Sequence, residues 1–335
     1  MKILALGGTL FLGRHTVRRA LERGHEVTLF NRGRTGRDLF PECERLVGDR
    51  AGDLGALRGR RWDAVLDLSA FGSPGLVRRS AETLRDAADR YVFISSLGVY
   101  EPAPGPVHEG CAVRRPAGAV PAVPDSYESY GALMALAEDA VEESFPGRGL
   151  VARAGILVGP YDPVDRFVWW LARMERGGEV LAPGRPERRV EFLDARDAAE
   201  WLVKCLEAGT AGTFNLAGPT AGGVPMGAWL EGCAAAAGKG ARLAWLDDAF
   251  LLEHGVAPWR DFPLWEPEGE AGTPGAFHTS VDRAVAAGLA FRPLAATLRD
   301  TLEWHRSRPA EEREQREGIT LERERELLDA RHRAE

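Results

Sequence analysis

Lysine is nearly missing from this sequence: it stands only at Lys2, Lys204 and Lys239, so almost all of the 43 basic residues are arginine. Acidic residues outnumber them at 50, and a net charge of -7 excludes a broadly basic surface, the kind that holds nucleic acid or anionic membrane by releasing counterions. Cysteine is scarce as well. Cys43, Cys111, Cys205 and Cys233 lie far apart and form neither a CxxC pair nor a ligand-spaced cluster, so no disulfide framework is implied and no metal site is expected. No apolar run approaches the roughly 20 residues that cross a bilayer. The opening MKILALGGTLF is interrupted by two glycines and followed by Arg14 and His15, which makes it strand and turn, not a secretory segment. With no lipidation signal at either end, the expected location is the cytoplasm. The arginine, alanine and glycine bias points to a GC-rich bacterial genome.

At 335 residues the chain has room for one large α/β unit, or for a cofactor domain with a smaller substrate portion folded against it. Short apolar runs alternate with helical patterns through the first half: 3–6, 27–30, 46–47, 64–68 and 91–94. That alternation predicts a parallel sheet of strands buried on both faces, joined by right-handed crossovers and covered by helices. Leu12, Val17, Ala20 and Leu21 supply the apolar face of the first helix, and Val77, Leu84 and Ala88 that of the helix before the fifth strand. Residues 101–126 carry prolines at 102, 104, 106, 116, 121 and 124 and little periodicity, which predicts a long loop. The pattern then gives a helix over 130–145, a strand over 150–158, a helix over 194–207 and a strand over 213–216.

The first strand runs straight into Gly7, Gly8, Thr9, Leu10, Phe11, Leu12 and Gly13, and a helix follows. In that context the glycines have a physical purpose. Gly7 turns the chain off the strand, Gly8 and Thr9 let backbone approach a pyrophosphate, and Gly13 lets the helix pack closely; the helix N-terminus offers free N–H groups to the phosphates. The fold class is therefore α/β, a Rossmann-type doubly wound parallel sheet with a small α-rich C-terminal substrate lobe. Residues 1–218 form the core with loop 101–126 as a substrate wall, 219–308 form the lobe together with segment 157–190, and 309–335 form a charged terminal helix. The second strand ends in Asn31-Arg32-Gly33-Arg34, where an NAD-binding domain places a carboxylate on the adenosine ribose. A carboxylate repels a 2′-phosphate, whereas Arg32, with Arg34 or Arg14, binds one through charge-assisted hydrogen bonds, so NADP(H) is expected over NAD(H).

GGTLFLGR, the NRG turn, Gly48-Asp49-Arg50, YVFISSLGVY and a YxxxM segment together resemble the extended or atypical short-chain dehydrogenase/reductases, specifically the NAD-dependent epimerase/dehydratase family. Arg153 to Ile156, Phe192 to Asp197 and Gly212 to Asn215 extend the resemblance over nearly the whole chain. It implies that Asp49 bonds the adenine, with Arg50 beside it, that Leu68, Ser69 and Ala70 line the cofactor with Ser95, and that Gly155 and Ile156 approach the nicotinamide. It also implies a catalytic serine at Ser96, with Ser95 as substitute, and a catalytic tyrosine at Tyr130. The family's lysine position is Met134. There a lysine binds the nicotinamide ribose and lowers the tyrosine pKa, and a thioether does neither.

Three readings follow from Met134. The chain reduces a ketone or related group with NADPH, Tyr130 donating the proton and Ser96 polarising the carbonyl. Or it binds the cofactor without turnover, as a sensor or scaffold. Or Met134, natural or introduced, sits in a nucleotide-sugar epimerase or dehydratase. His108, Glu109, Asp125 and Glu128 are further acid/base candidates, with Asp125 better placed as a helix cap.

Ligands in open α/β sheets lie outside the strands' carboxyl ends, so the loops after Tyr100, Gly159 and Gly218 are expected to surround the reacting carbon. Tyr161, Arg166, Phe167, Trp169 and Trp170 offer an aromatic surface with one cation, and Trp259, Phe262 and Trp265 close it from the lobe. Such a surface suits a flat aryl substrate better than a nucleotide sugar. The expected partners are a small-molecule substrate and a second copy of the chain, since the family often dimerises through the helices flanking its sheet.

Overall fold

The computed structural model describes residues 1–68, 72–102, 105–116, 118, 123–218, 222–267, 278–313 and 318–334. Its strands are β1 (Lys2–Leu6), β2 (Glu26–Asn31), β3 (Glu44–Val47), β4 (Trp62–Asp67), β5 (Ala88–Ser96), β6 (Gly149–Ala154), β7 (Leu157–Val158), β8 (Glu179–Pro183), β9 (Arg189–Val190), β10 (Leu193–Asp194), β11 (Gly212–Leu216), β12 (Val224–Pro225) and β13 (Arg242–Leu246). Its helices are α1 (Phe11–Glu22), α2 (Pro74–Leu84), α3 (Tyr127–Ser144), α4 (Arg166–Glu175), α5 (Ala195–Ala208), α6 (Met226–Ala237), α7 (Asp248–Glu253), α8 (Asp282–Ala286), α9 (Leu294–Ser307) and α10 (Leu321–Ala334). Among the described residues no helix is long and apolar enough to cross a membrane.

The chain divides into two compact units. The first comprises Met1–Leu157, Leu193–Ala221 and Thr279–Phe291, so residues 279–291, which the sequence reading places in the lobe, pack with the core. Its centre is a seven-stranded parallel sheet in the order β11-β6-β5-β4-β1-β2-β3. The chain builds outward from β1 to β3, then returns to lay β4 on the other side of β1. That reversal leaves a crevice at the carboxyl ends of β1 and β4, where folds of this topology bind ligands. Strand interiors such as Ile3, Leu4, Ala5 and Leu6 are wholly buried, as runs without polar alternation require. One layer of core sets α1 and α5 against the sheet through Val17, Ala20, Trp201 and Leu202; the other uses Val77, Ala81, Leu84, Ala137 and Val141 of α2 and α3.

Two local readings are corrected. Ala88 is not on the apolar face of α2 but opens β5. Helix α3 starts at Tyr127, three residues earlier than its apolar pattern suggests, because the N-cap is Ser126 and not Asp125. Ser126 and Ser129 cap each other's backbone reciprocally.

The second unit comprises Val158–Phe192, Gly222–His278 and Arg292–Glu335. It is not purely helical, since β8 and β13 pair in parallel and β9 and β12 antiparallel. Its core is aromatic: Phe167 stacks on Trp229 at 5.5 Å and Trp170 on Phe262 at 5.9 Å. The terminal helix is tied in by one buried carboxylate, Glu324, which accepts from Arg173 Nε at 2.7 Å and from the Leu181 N–H at 3.0 Å.

Candidate active site

The glycine turn after β1 is shaped as a phosphate cradle. Gly7 and Gly8 have φ of 102° and 86°, a left-handed conformation that side chains rarely tolerate. A Cβ on Gly13 would lie 3.0 Å from the Gly8 Cα, so α1 presses directly onto the turn. Leu10 caps α1 in an extended conformation without a side-chain bond, and the first turn holds no acidic residue. The unspent N–H groups of Phe11, Leu12 and Gly13 therefore present positive potential to an anion. The Thr9 hydroxyl reaches the Thr35 hydroxyl at 2.9 Å and fastens the turn to the loop after β2. These residues fit a dinucleotide pyrophosphate.

At the end of β2, Asn31 holds the crevice edge: its amide donates to the Gly7 carbonyl at 3.3 Å and its carbonyl accepts from the Gly33 N–H at 3.0 Å. Arg32 and Arg34 are exposed, and neither forms an ion pair with a described residue. Arg37, which sequence reasoning missed, folds back so that its Nε donates to the Gly33 carbonyl at 2.6 Å. It adds a third cation to the same loop. No carboxylate side chain from 31 to 37 opposes them.

After β3, a Cβ on Gly48 would collide with the Phe30 ring at 2.5 Å, and the exposed Asp49 turns the chain by accepting from the Ala51 N–H at 3.0 Å. Arg50 departs from the cofactor role the resemblance implies. Its guanidinium is buried, bound to both oxygens of Asp67 at 2.5 and 2.6 Å and to Ser80 at 3.1 Å. Asp67 is fully buried on β4 and also accepts from the Tyr91 hydroxyl at 2.6 Å, so it demands a cation inside the sheet layer. Leu68 is half-buried and continues β4 by donating to the Leu6 carbonyl at 3.1 Å, while Ser69 and Ala70 lie outside the described residues.

Ser95 likewise points away from the crevice. Its hydroxyl donates to Glu138 at 2.5 Å, and Glu138 is paired with Arg153 at 2.7 Å in a buried network that ties α3 to β5 and β6. That geometry leaves Ser96 as the serine beside the tyrosine. Ser96 Oγ accepts from the Gly98 N–H at 3.1 Å. Burial pushes the Tyr130 phenol above its ordinary value of 10.0, the nearby Ser96 hydroxyl opposes this, and the neighbouring Tyr127 adds to it. Met134, one turn along α3, is buried among Val77, Ala81 and Tyr91, and its sulfur accepts from the Gly72 N–H at 3.3 Å. The position that carries a catalytic cation in the family pattern here anchors the loop after β4. Gly155 donates to the Leu216 carbonyl at 2.8 Å, and a Cβ there would lie 2.9 Å from Leu97, next to Ser96. The Ile156 carbonyl accepts from the Leu193 N–H at 2.8 Å.

Two of the further acid/base candidates, Glu109 and His108, are occupied, while Asp125 and Glu128 are exposed at the start of α3. Glu109 accepts from the Asn215 N–H at 2.9 Å and His108 Nδ1 from the Gly110 N–H at 3.1 Å. Of the expected substrate residues, Trp169, Trp170 and Trp265 are a correction: all three belong to the core of the second unit. Trp170 Nε1 donates to the Pro263 carbonyl at 2.8 Å, Trp265 Nε1 to Asp248 at 2.9 Å, and Trp169 packs edge-on against Trp170 at 4.7 Å. The buried indole N–H groups of Trp170 and Trp265 need acceptors, and the fold supplies these from within the unit. Tyr161 packs edge-on against Trp304 at 5.6 Å, and Arg166 lies over Trp259 at 5.9 Å.

Residues 3–217 match the model of the NAD dependent epimerase/dehydratase family. Over 272 residues, 75% of either protein, the chain is 26% identical to a ceramide reductase of Caulobacter vibrioides. Over 113 residues it is 31% identical to the chloroplast stem-loop binding protein of 41 kDa b of Arabidopsis thaliana, a match spanning only 30% of each. The UDP-glucuronic acid 4-epimerase of Bacillus cereus, solved in complex with NAD, superposes with a TM-score of 0.66 at 16% identity, over 91% of this chain and 98% of that one. At that identity the likeness is one of fold.

Proposed function

Because this chain belongs to the NAD dependent epimerase/dehydratase family, we propose that it is an oxidoreductase working in the direction of reduction, on a ketone or related carbonyl of a small metabolite, with NADP(H) preferred over NAD(H). The observation that carries the direction is the burial of the Tyr130 phenol beside Ser96, one turn from Met134. Burial raises its phenol, with the neighbouring Tyr127 adding to this and Ser96 opposing it, and the residue one turn along, at the family's lysine position, is the uncharged Met134. A phenol so placed is a proton donor and a poor base. Oxidation of an alcohol, the first step of an epimerisation through a ketone, asks for the base. Reduction asks for the donor. The match to a protein named for reducing ceramide supports the same direction.

Bound in the crevice, the reduced dinucleotide supplies the hydride. The first-turn amides of α1 would hold its pyrophosphate, Arg32 and Arg34 would meet a 2′-phosphate, and Asp49 would face the adenine. Leu68, Gly155 and Ile156 border the nicotinamide end, Ser96 polarises the carbonyl oxygen, and Tyr130 protonates it as charge develops.

The test is substrate-dependent loss of NADPH absorbance across a panel of ketones. Tyr130→Phe is expected to slow it by about a hundredfold or more, the usual worth of a positioned general acid. With the phenol raised above 10.0, the reduction rate is expected to stay flat through neutral pH and to fall only in the alkaline range, as the donor loses its proton. Equal turnover by Tyr130→Phe contradicts the proposal, and cofactor uptake with no ketone turned over favours a binding protein.

A further inference from the structure

Methionine at the lysine position leaves two tasks without an owner: balancing the charge on Tyr130 after it gives up its proton, and returning that proton from solvent. A second phenol stands one turn earlier on the same helix. The hydroxyl of Tyr127 and the Oγ of Ser96 lie 3.1 and 3.3 Å from one point, where a Cβ on Gly98 would stand, so the two oxygens flank that glycine. The rings of Tyr127 and Tyr130 are 6.4 Å apart, and Tyr127 is 60% exposed, open to the solvent that Tyr130 does not face as fully.

Behind Tyr127 stands Arg114. Its backbone N–H donates to the Val99 carbonyl at 2.6 Å, which fixes the loop beside the serine turn. Its side chain crosses the start of α3 so closely that a Cβ on Gly131 would sit 2.7 Å from its Cδ, and its guanidinium carbon lies 5.9 Å from the Tyr127 ring centre. The Arg114 Nε is buried without a hydrogen-bond partner, and Arg114 forms no ion pair with a carboxylate among the described residues. Two glycines, Gly98 and Gly131, thus clear the space that brings a tyrosine and an arginine to the serine of the site.

Building on the reading of Tyr130 as proton donor, we propose that Tyr127 and Arg114 together replace the missing lysine: Tyr127 returns a proton to Tyr130 through the Ser96 hydroxyl, and Arg114 stabilises Tyr127 while it is ionised. The steps balance. The Tyr130 O–H bond breaks and its proton passes to the substrate oxygen. Ser96 gives its proton to the Tyr130 phenolate and takes one from Tyr127, and the Tyr127 phenolate takes one from water, leaving hydroxide. Arg114 acts as a positioning residue, since it stays protonated throughout.

The charges facing Tyr127 agree with this division of labour. Burial holds the Tyr127 phenol above its ordinary value of 10.0 and Glu128 of the same turn adds to this, while Arg114 opposes both and is the group that favours the phenolate. Other charged groups against α3 are engaged farther along it, Arg115 with Asp139 and Arg78 with Glu143.

The experiment compares Tyr127→Phe, Arg114→Gln and Arg114→Lys in the full-length protein by two readouts: phenolate absorbance titration without cofactor, and steady-state against single-turnover reduction. Arg114→Gln is expected to move one phenol's titration to higher pH, Arg114→Lys to restore it, and Tyr127→Phe to remove that phenol. Steady-state reduction should fall about tenfold in Tyr127→Phe and Arg114→Gln while the first turnover stays fast. An unmoved titration in Arg114→Gln, or steady-state rates equal to the parent in Tyr127→Phe, overturns the inference. If Arg114→Gln fails to fold, Tyr127→Phe decides alone. A Tyr130→Phe variant as fast as the parent defeats the underlying reading of the donor; a dead Tyr130→Phe beside fully active Tyr127→Phe and Arg114→Gln defeats only the relay.

Discussion

Restoring the family pattern by Met134→Lys sets the motif against this chain's own packing. The Met134 side chain is 2% exposed, belongs to the core layer that α2 and α3 share with the sheet, and accepts the Gly72 N–H. An ammonium at that depth loses its hydration, which costs several kcal/mol per ion even after relaxation. The lysine therefore sheds its proton rather than stay charged, and the Gly72 N–H loses its acceptor. A destabilisation of about 3 kcal/mol is expected, and at roughly 2–4 °C per kcal/mol for a unit of this size the melting midpoint drops by about 6–12 °C. The pH dependence has a definite sign. A lysine whose folded pKa lies below its unfolded value of about 10.4 makes the unfolded chain bind more protons, so the penalty shrinks as pH rises toward that value. Scanning calorimetry at pH 7 and pH 9.5, with Met134→Leu as the apolar control costing less than about 1.5 kcal/mol, measures both effects. A variant with the parent's midpoint at pH 7 and a large gain in turnover refutes the reasoning, because it shows that position 134 opens to the site.

Two other substitutions separate architecture from binding. Gly13→Ala places a methyl 3.0 Å from the backbone of Gly8, which forces α1 off the phosphate turn; NADPH affinity by calorimetry is expected to fall about tenfold with the fold retained. Arg50→Ala strands the buried Asp67 and should cost about 3–5 kcal/mol in denaturant unfolding, while the dissociation constant for NADPH stays that of the parent.

The parts of this molecule written in local chemistry were legible. The glycine turn reads from sequence because positive φ and close approach are properties of single residues and their spacing. Buried parallel strands read from apolar runs for a similar reason. What escaped depends on partners distant in the chain. Arg32 and Arg50 look alike in sequence, each closing a turn after a strand, yet Arg50 is claimed by Asp67, 17 residues on, and Arg32 by no described carboxylate. Trp170 looks like a binding surface until Pro263, 93 residues away, accepts its N–H. Arg114 sits in a proline-rich stretch with no periodicity to mark it. Tyr127 had a signal that went unread, since residues three apart on a helix share a face and Tyr130 had already been singled out.

The most direct measurement is titration calorimetry of NADPH and of NADH into the parent protein and into an Arg32→Ala/Arg34→Ala double variant. The parent is expected to bind NADPH at least about tenfold more tightly, with the preference lost in the double variant and NADH affinity unchanged. Absence of binding heat with both dinucleotides, or a preference for NADPH that survives removal of both arginines, contradicts the account.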